Sequence, residues 1–346
     1  MDLSSIPVLP KAVLHDHLDG GLRPVTVLEL SREHGNENLP ASDAESLAAW
    51  FYQGASGSLE SYLEAFERTV SVMQTQNAIS RVAYEAGLDL ASDGVVYAEI
   101  RYGPSLSMRD GLSREGVIEA MLDGFERAQR ESGIAIYGIV TALRNESDSA
   151  DVARAASRYV GRGVVAFDLA GPEKGFPPDA HLEACRIARE AGLGVTLHAG
   201  ESDGPNSMWR AVALCGAQRL GHGVHVVQDA RFENGTLSNL GAFARRIRDH
   251  RVPLEVAITS NLHTGSWQHA SEHPFGALHA AGFNVSINTD NRLMSGISMS
   301  DEYALAAATF GLDRADLLDI TVNAIEAGFG DWNVRRRLIS QIVAAS

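Results

Sequence analysis

The feature that most limits the fold of this chain is a rhythm. Short β-branched apolar runs are each followed by a glycine-containing or polar turn, then by a longer stretch in which apolar residues recur every three or four positions. The runs are "AVLHDH" near 12, "VVYAEIRY" at 95, "AIYGIVTAL" at 135, "VVAFDLAG" at 164, "GVTLHAG" at 194, "RLGHGVHV" at 219, "PLEVAITS" at 253 and "NVSINTD" at 284. Of the intervening stretches, "SREGVIEAMLDGFERAQRES" (113 to 132) begins on a capping serine and sets Val117, Met121, Leu122 and Phe125 on one helical face. Near-continuous apolar strands alternating with helices imply a parallel sheet covered by helices. Eight such units without a linker or low-complexity tract imply an α/β fold, a closed (β/α)8 TIM barrel in one domain over 1–346, rather than an open doubly wound sheet. About 75 residues separate the first run from the second, so extra helices are expected after the first strand. One of them, "SLESYLEAFERTVSVM" (58 to 73), aligns Leu59, Tyr62, Leu63 and Phe66, for ordinary packing or for a lid over the barrel mouth; packing is the expectation for most of these side chains.

Charge narrows the partners. With 29 basic against 44 acidic residues the chain carries −15, and Lys11 and Lys174 are its only lysines. Such a surface repels phosphate polyanions, which argues against nucleic acid and anionic membranes. Cys185 and Cys215 are too few for a disulfide framework and fit a reducing cytosol. The start "MDLSSIPVLPK" lacks the basic and apolar regions of a leader, and no run of about 18 apolar residues occurs, so a soluble cytoplasmic protein is expected.

In a parallel barrel, chemistry is assembled at the C-terminal strand ends, so titratable residues that close the apolar runs are informative. They are His15 and His17, Glu99 and Arg101, Asp168, His198 and Glu201, His222 and His225, Glu255, and Asp290. Any one alone is readily explained as a turn cap. Together they suggest more. His15 and His17 stand two apart, and strand alternation aims both into the barrel mouth. A third histidine from the fifth run and an aspartate from the eighth complete an N3O set suited to Zn²⁺ or another borderline divalent metal. Such a metal makes hydroxide accessible at neutral pH, and Glu201, three residues past His198, is placed to carry protons between water and substrate. His222 at the next strand end could orient the hydroxide or stabilise charge as it attacks.

At these residues the chain resembles the adenosine deaminase family of the amidohydrolase superfamily. The matching motifs are "LHDHLDGG", "DLAGPE", "LHAGE", "RLGHG", "TSNLHTG" and "NTDN", in order from 14 to 291. The resemblance implies one zinc ion held by His15, His17, His198 and Asp290. It implies that Glu201 protonates the purine at N1, so that C6 accepts the attacking hydroxide and ammonia leaves, while His222 holds and helps deprotonate the water. It further implies that the Gly171 backbone lies against the purine, that Asp19 lies near the ribose hydroxyls, and that Asp168 and Glu255 support the ligands from outside. Two positions depart from the pattern. Asn291 stands where a second aspartate is common, and its amide NH2 can still donate to N7 of a purine. "EVAITSN" stands where a Cys-Pro pair is frequent, which implies altered loop geometry.

The implied reaction is hydrolytic deamination of adenosine and 2′-deoxyadenosine. A deaminase of adenine or of a modified adenosine is the alternative within the superfamily, and an inactive nucleoside-binding barrel the alternative outside catalysis. The other zinc deaminase architecture needs HxE with a following PCxxC; His181 and Glu183 match its first half, but no PCxxC follows. No GxxxxGK or GxSxG occurs. His263, His269, His273 and His279 are read as surface or packing residues. Arg335, Arg336 and Arg337 are read as a solvated helix face. Trp50, Phe51 and Phe66 are candidates to shield the site from water.

Overall fold

A computed structural model describes residues 3–35, 39–54, 56–63 and 65–345. All eight apolar runs form strands of one parallel sheet: β1 (Lys11–His17), β2 (Val95–Tyr102), β3 (Ala135–Leu143), β4 (Val164–Ala170), β5 (Gly194–Ala199) and β6 (Arg219–His222), then β9 (Leu254–Val256) and β10 (Val285–Ile287). Between the last two groups lies a small antiparallel hairpin, β7 (Arg231–Glu233) with β8 (Thr236–Ser238), turned by Asn234 and Gly235, both at positive φ. The sheet runs in the order β1-β2-β3-β4-β5-β6-β9-β10.

Past the end of β10 the chain returns to β1. The His17 N–H donates to the Asp290 carbonyl at 2.7 Å and the Asp290 N–H to the His15 carbonyl at 3.0 Å. The Asn288 side-chain oxygen accepts from the backbone N–H groups of Leu14 and His15. These bonds close the barrel, and they stitch the first strand to the last where the predicted metal ligands sit.

Three runs make shorter strands than their composition suggests. β6 stops at His222, whose φ of 61° leaves the extended region, and Val224–Asp229 coils into a 3-10 turn. After β9 the residues Ile258–His263 form a helical turn, and β10 ends before Asn288. In each case an apolar run continues into buried structure, and burial alone does not distinguish strand from helix.

Helices cover the barrel. The helix Arg114–Ser132 starts where the Ser113 hydroxyl accepts from the Gly116 N–H and stops at Gly133, which adopts the left-handed conformation. It packs on the helix Gln76–Ser92 closely enough that a Cβ on Gly124 would meet the Ser80 carbonyl at 2.3 Å. The long first connection holds helices at Pro24–Glu33, Ala44–Phe51, Leu59–Leu63 and Phe66–Ser71 before Gln76–Ser92, as the length of that connection requires.

Beneath the barrel mouth lies a buried ladder of charges. Glu99 pairs with Arg219 at 2.7 Å, Arg219 with Glu255 at 2.6 Å, Arg101 with Glu255 at 2.6 Å and Arg101 with Asp168 at 3.1 Å. Glu99 and Arg101 therefore belong to the barrel's interior layer and not to its mouth. Desolvating so many charges is costly, and removing one member would strand the others, a loss of about 3–5 kcal/mol.

Candidate active site

The mouth of the barrel gathers what the strand ends promised. His15 and His17 leave the same face of β1 with ring centroids 5.4 Å apart. His198, next to last in β5, brings Nε2 to 3.1 Å from Nε2 of His17. Asp290 Oδ1 lies 3.4 Å from Nε2 of both His15 and His17. Asp290 reaches that point with φ at 59°, a left-handed conformation costing roughly 1–2 kcal/mol for a residue with a Cβ. Barrel closure holds it there through the two backbone bonds to β1.

Three imidazole nitrogens and one carboxylate oxygen thus face a common space. His15 Nε2 is buried and makes no hydrogen bond with any of the described residues. An orphaned buried nitrogen beside two histidine nitrogens at contact distance is poorly accommodated by protein alone and well accommodated by a divalent cation. Burial pushes His17 and His198 below the ordinary imidazole value, favouring the neutral form that a metal requires. Burial and the Arg101 charge also lower His15, but the adjacent Asp290 and Glu255 carboxylates outweigh them and raise the net value.

The outer nitrogens are fixed as well. His15 Nδ1 meets Glu255 Oε2 at 2.9 Å, and His198 Nδ1 meets Asp168 Oδ1 at 3.1 Å. Burial alone would raise both carboxyls; Arg101 and Arg219 hold Glu255 low, and His198 with Arg101 holds Asp168 low. Both are thus ionised acceptors that fix the imidazole tautomers and turn each Nε2 toward the shared space. Ser260 donates to Asp290 Oδ2 at 2.6 Å, leaving Oδ1 for the histidines.

Glu201 and His222 border the same space. His222 Nε2 lies 3.8 Å from Glu201 Oε1 and 3.8 Å from Asp290 Oδ2. Burial pushes the His222 imidazole well below its ordinary value, and nearby His15 adds to the shift. Glu201 sits on a loop organised by Glu173, whose carboxylate accepts from the backbone N–H groups of Gly200, Glu201, Ser202 and Asp203 and from the Ser207 hydroxyl.

A cavity of about 340 Å³ opens over this cluster, a volume suited to one small ligand. Its wall includes Asp19, Gly171 and Asn291 together with His17, His198, Glu201, His222 and Asp290. Burial, with a smaller contribution from the negative charges of Asp290 and Asp16, pushes the Asp19 carboxyl up to about 7. Leu59, Tyr62, Leu63 and Phe66 also line it, so this amphipathic segment serves the pocket and not merely the core. Trp50 is exposed and Phe51 lies in the core; neither lines the cavity.

Several tempting groups lie elsewhere. The His181 ring bonds Ser149 and the Arg144 carbonyl, and His225 bonds the Gly200 carbonyl. His269 is exposed, His279 stacks on Phe275, and Arg335 bonds the carbonyls of Gly330 and Glu326 beside the helix Arg314–Ala327. Arg336 lies over Trp332. His273 falls on the packing side of that reading, since it is buried, but it is also bonded to Asn261, which in turn bonds His222. Sequence reasoning assigned no role to Glu173, Ser260, Asn261 or His273. The first three lie within "DLAGPE" and "TSNLHTG", so the signal was their company in those motifs.

The sequence model of the family described as adenosine deaminase matches residues 10–345. An adenosine deaminase of Mycobacteroides abscessus is 46% identical over 99% of this chain and 96% of its own length. Among solved structures, the N6-methyl-AMP deaminase of Arabidopsis thaliana superimposes with a TM-score of 0.83 at 26% identity, covering 99% of both chains. A zinc-bound amidohydrolase of Burkholderia ambifaria shares the fold, with a TM-score of 0.84 at 23% identity over 99% of this chain and 92% of its own.

Proposed function

The chain belongs to the adenosine deaminase family, and from that premise we propose that it hydrolyses adenosine and 2′-deoxyadenosine to inosine and 2′-deoxyinosine with release of ammonia, using one zinc ion held by His15, His17, His198 and Asp290. The enzyme is a hydrolytic deaminase with an implied divalent metal. The observation that carries the reading is the convergence of three histidine nitrogens and Asp290 Oδ1 on one buried space, with Glu201 and His222 at its edge.

A divalent ion in that N3O set supplies Lewis acidity that lets water ionise near neutral pH. The residues of the chain do the rest. Asp290 and His222 face the attacking water, His222 through Nε2. Glu201 delivers a proton to N1 of the purine, which draws electrons from C6 and lets the water oxygen bond there. The two protons lost by the water oxygen pass to the Asp290 and Glu201 carboxylates; one is handed on to the exocyclic nitrogen and the other restores Glu201, the C6–N bond breaks and ammonia departs, leaving the 6-oxo purine. Asn291 donates to N7, the Gly171 backbone lies along the base, and Asp19 takes the ribose hydroxyls. Asp168 and Glu255 keep His198 and His15 in the tautomers the ligand set needs.

No helix among the described residues is long and apolar enough to cross a membrane. Cys185 and Cys215 are free and buried, which supports a cytoplasmic location.

The test is turnover of adenosine, 2′-deoxyadenosine, adenine and N6-methyl-AMP by the zinc-loaded protein, followed by ammonia release and the ultraviolet change to the 6-oxo product. Adenosine and 2′-deoxyadenosine should lead. Glu201→Gln should abolish turnover and retain the metal, whereas loss of metal with that substitution, or preference for adenine, overturns the assignment.

A further inference from the structure

One chain of hydrogen bonds near the site has a polarity that can be worked out from its far end. The Phe275 backbone N–H, which can only donate, points at His273 Nδ1 at 3.2 Å. His273 Nδ1 is therefore the acceptor, and the proton of the neutral ring resides on Nε2. That nitrogen lies 3.2 Å from Asn261 Oδ1, so His273 donates and the Asn261 oxygen accepts. The amide is thereby oriented, and its NH2 faces His222 Nδ1 at 3.0 Å. A nitrogen that accepts from an amide carries no proton, so the neutral His222 ring bears its hydrogen on Nε2.

Resting on the deaminase reading above, we propose that Asn261 and His273 are positioning residues that fix His222 as a hydrogen-bond donor to the attacking oxygen. In this arrangement His222 takes no proton from the water, contrary to the expectation from the resemblance. It holds the oxygen and steadies negative charge on it through Nε2–H, and the accepting roles at the site fall to carboxylates. The surroundings agree: Nε2 faces Glu201 Oε1 and Asp290 Oδ2 at equal distances of 3.8 Å, and a lone pair there would oppose two carboxylate oxygens.

The remote end of the relay is built to stay in one state. His273 is 2% exposed, and Trp267 packs against its ring at a centroid distance of 5.0 Å. Burial, with His225 adding to it, pushes the His273 imidazole down to about 3, so the ring stays neutral and its single proton is not contested. Asn261 and Asp290 share one further connection, since Ser260, which donates to Asp290, precedes Asn261 in the helical turn Ile258–His263. That turn thus sets both the carboxylate and the imidazole that face the reacting oxygen.

The direct test is nitrogen NMR of the ring tautomers in zinc-loaded protein labelled with ¹⁵N-histidine, the His222 signals being assigned by their loss in a His222→Gln variant. The native ring should show a protonated Nε2 and a pyridine-type Nδ1. Asn261→Asp offers only oxygens to Nδ1 and should reverse the tautomer. Its kcat for adenosine should fall by about 10²–10³-fold, the loss typical of one misdirected transition-state donor, with KM changed less than about threefold and zinc retained. His273→Leu should lower kcat by about tenfold, and His273→Gln, whose NH2 can stand where Nε2–H stood, should recover most of that loss. A protonated Nδ1 in the native protein overturns the proposal. So does an Asn261→Asp variant that keeps the native tautomer, keeps native kcat, or loses activity only in proportion to lost zinc. Because the tautomer is read without substrate, failure of this proposal is distinguishable from failure of the deaminase reading, which absence of adenosine turnover would reveal.

Discussion

Ser260 donates its hydroxyl proton to Oδ2 of Asp290 at 2.6 Å, and this one bond decides which carboxylate oxygen is left to face His15 and His17. Without it the carboxylate can rotate about its terminal torsion, which is broad and nearly two-fold. Ser260→Ala should therefore weaken metal binding by about 10–100-fold, as loss of such outer partners does elsewhere. Competition against a chelator of known affinity measures it. Unchanged affinity would show that barrel closure alone orients Asp290.

Glu173 is a comparable device for the proton carrier. Its one carboxylate collects four successive backbone N–H groups, from Gly200 to Asp203, and the Ser207 hydroxyl. Glu173→Gln would turn an NH2 toward this row of donors. The expected result is a stability loss of about 3 kcal/mol with kcat reduced tenfold or more, while the metal ligands on β1 and β5 stay loaded. Thermal unfolding of the zinc-loaded protein and a metal assay check both parts. The pH response follows from the same contacts. Burial raises the Glu173 carboxyl, but Arg144 and the backbone N–H groups outweigh it and hold it below the ordinary value. Its contribution is thus present above about 4.5, the ordinary Glu value, and is lost as pH falls below it through the depressed folded value.

The parts of this architecture that were legible in the sequence are those encoded by short-range periodicity. The eight runs announced the barrel, and the spacing of His15 and His17 announced a shared direction, since strand alternation is a local property. What stayed hidden depends on backbone geometry and on long-range contact. The left-handed φ of His222 ends β6 early, although "GHGVHV" reads as strand throughout. His273 looked like one of several loop histidines because nothing local reveals that its ring would be buried against Asn261 and Trp267. Glu99 read as one of the strand-end groups bound for the mouth, and Arg219 as an ordinary strand residue, until barrel closure placed both in one buried ladder. The role of Leu59 to Phe66 was ambiguous for a different reason: an apolar stripe is the same whether it faces a core or a ligand.

That last segment yields a prediction about binding. Phe66 is only partly covered by protein and lines the cavity, so its ring can contribute apolar contact to a bound nucleoside. Contact of this kind is made equally in the ground and transition states, which raises KM and spares kcat when it is lost. Phe66→Ala should raise KM for adenosine by about tenfold with kcat within about twofold. A fall in kcat at constant KM would instead place the ring in closing the site around the reacting atoms.

Glu302 carries the clearest consequence for stability against pH. It is buried, with Oε1 accepting from the Thr259 N–H at 3.0 Å and Oε2 meeting no partner among the described residues. Burial pushes its carboxyl up from 4.5 to about 7. The folded state therefore keeps a proton that the unfolded chain has already released between those values, and stability falls as pH rises wherever the folded state binds more protons. The contribution is fully present below about 4.5 and is lost as pH climbs through about 7. By pH 8 the ionised side chain costs about 3 kcal/mol relative to its protonated form. Glu302→Gln mimics the neutral acid, keeps an oxygen for Thr259, and should flatten this slope, leaving the variant more stable than the native protein at pH 8 and nearly equal to it at pH 5. Chemical denaturation of the zinc-loaded proteins at both pH values measures the difference. An equal stability gap at pH 5 and pH 8 would show that Glu302 stays ionised in the fold, and that water or a rearranged neighbour satisfies the oxygen that has no partner here.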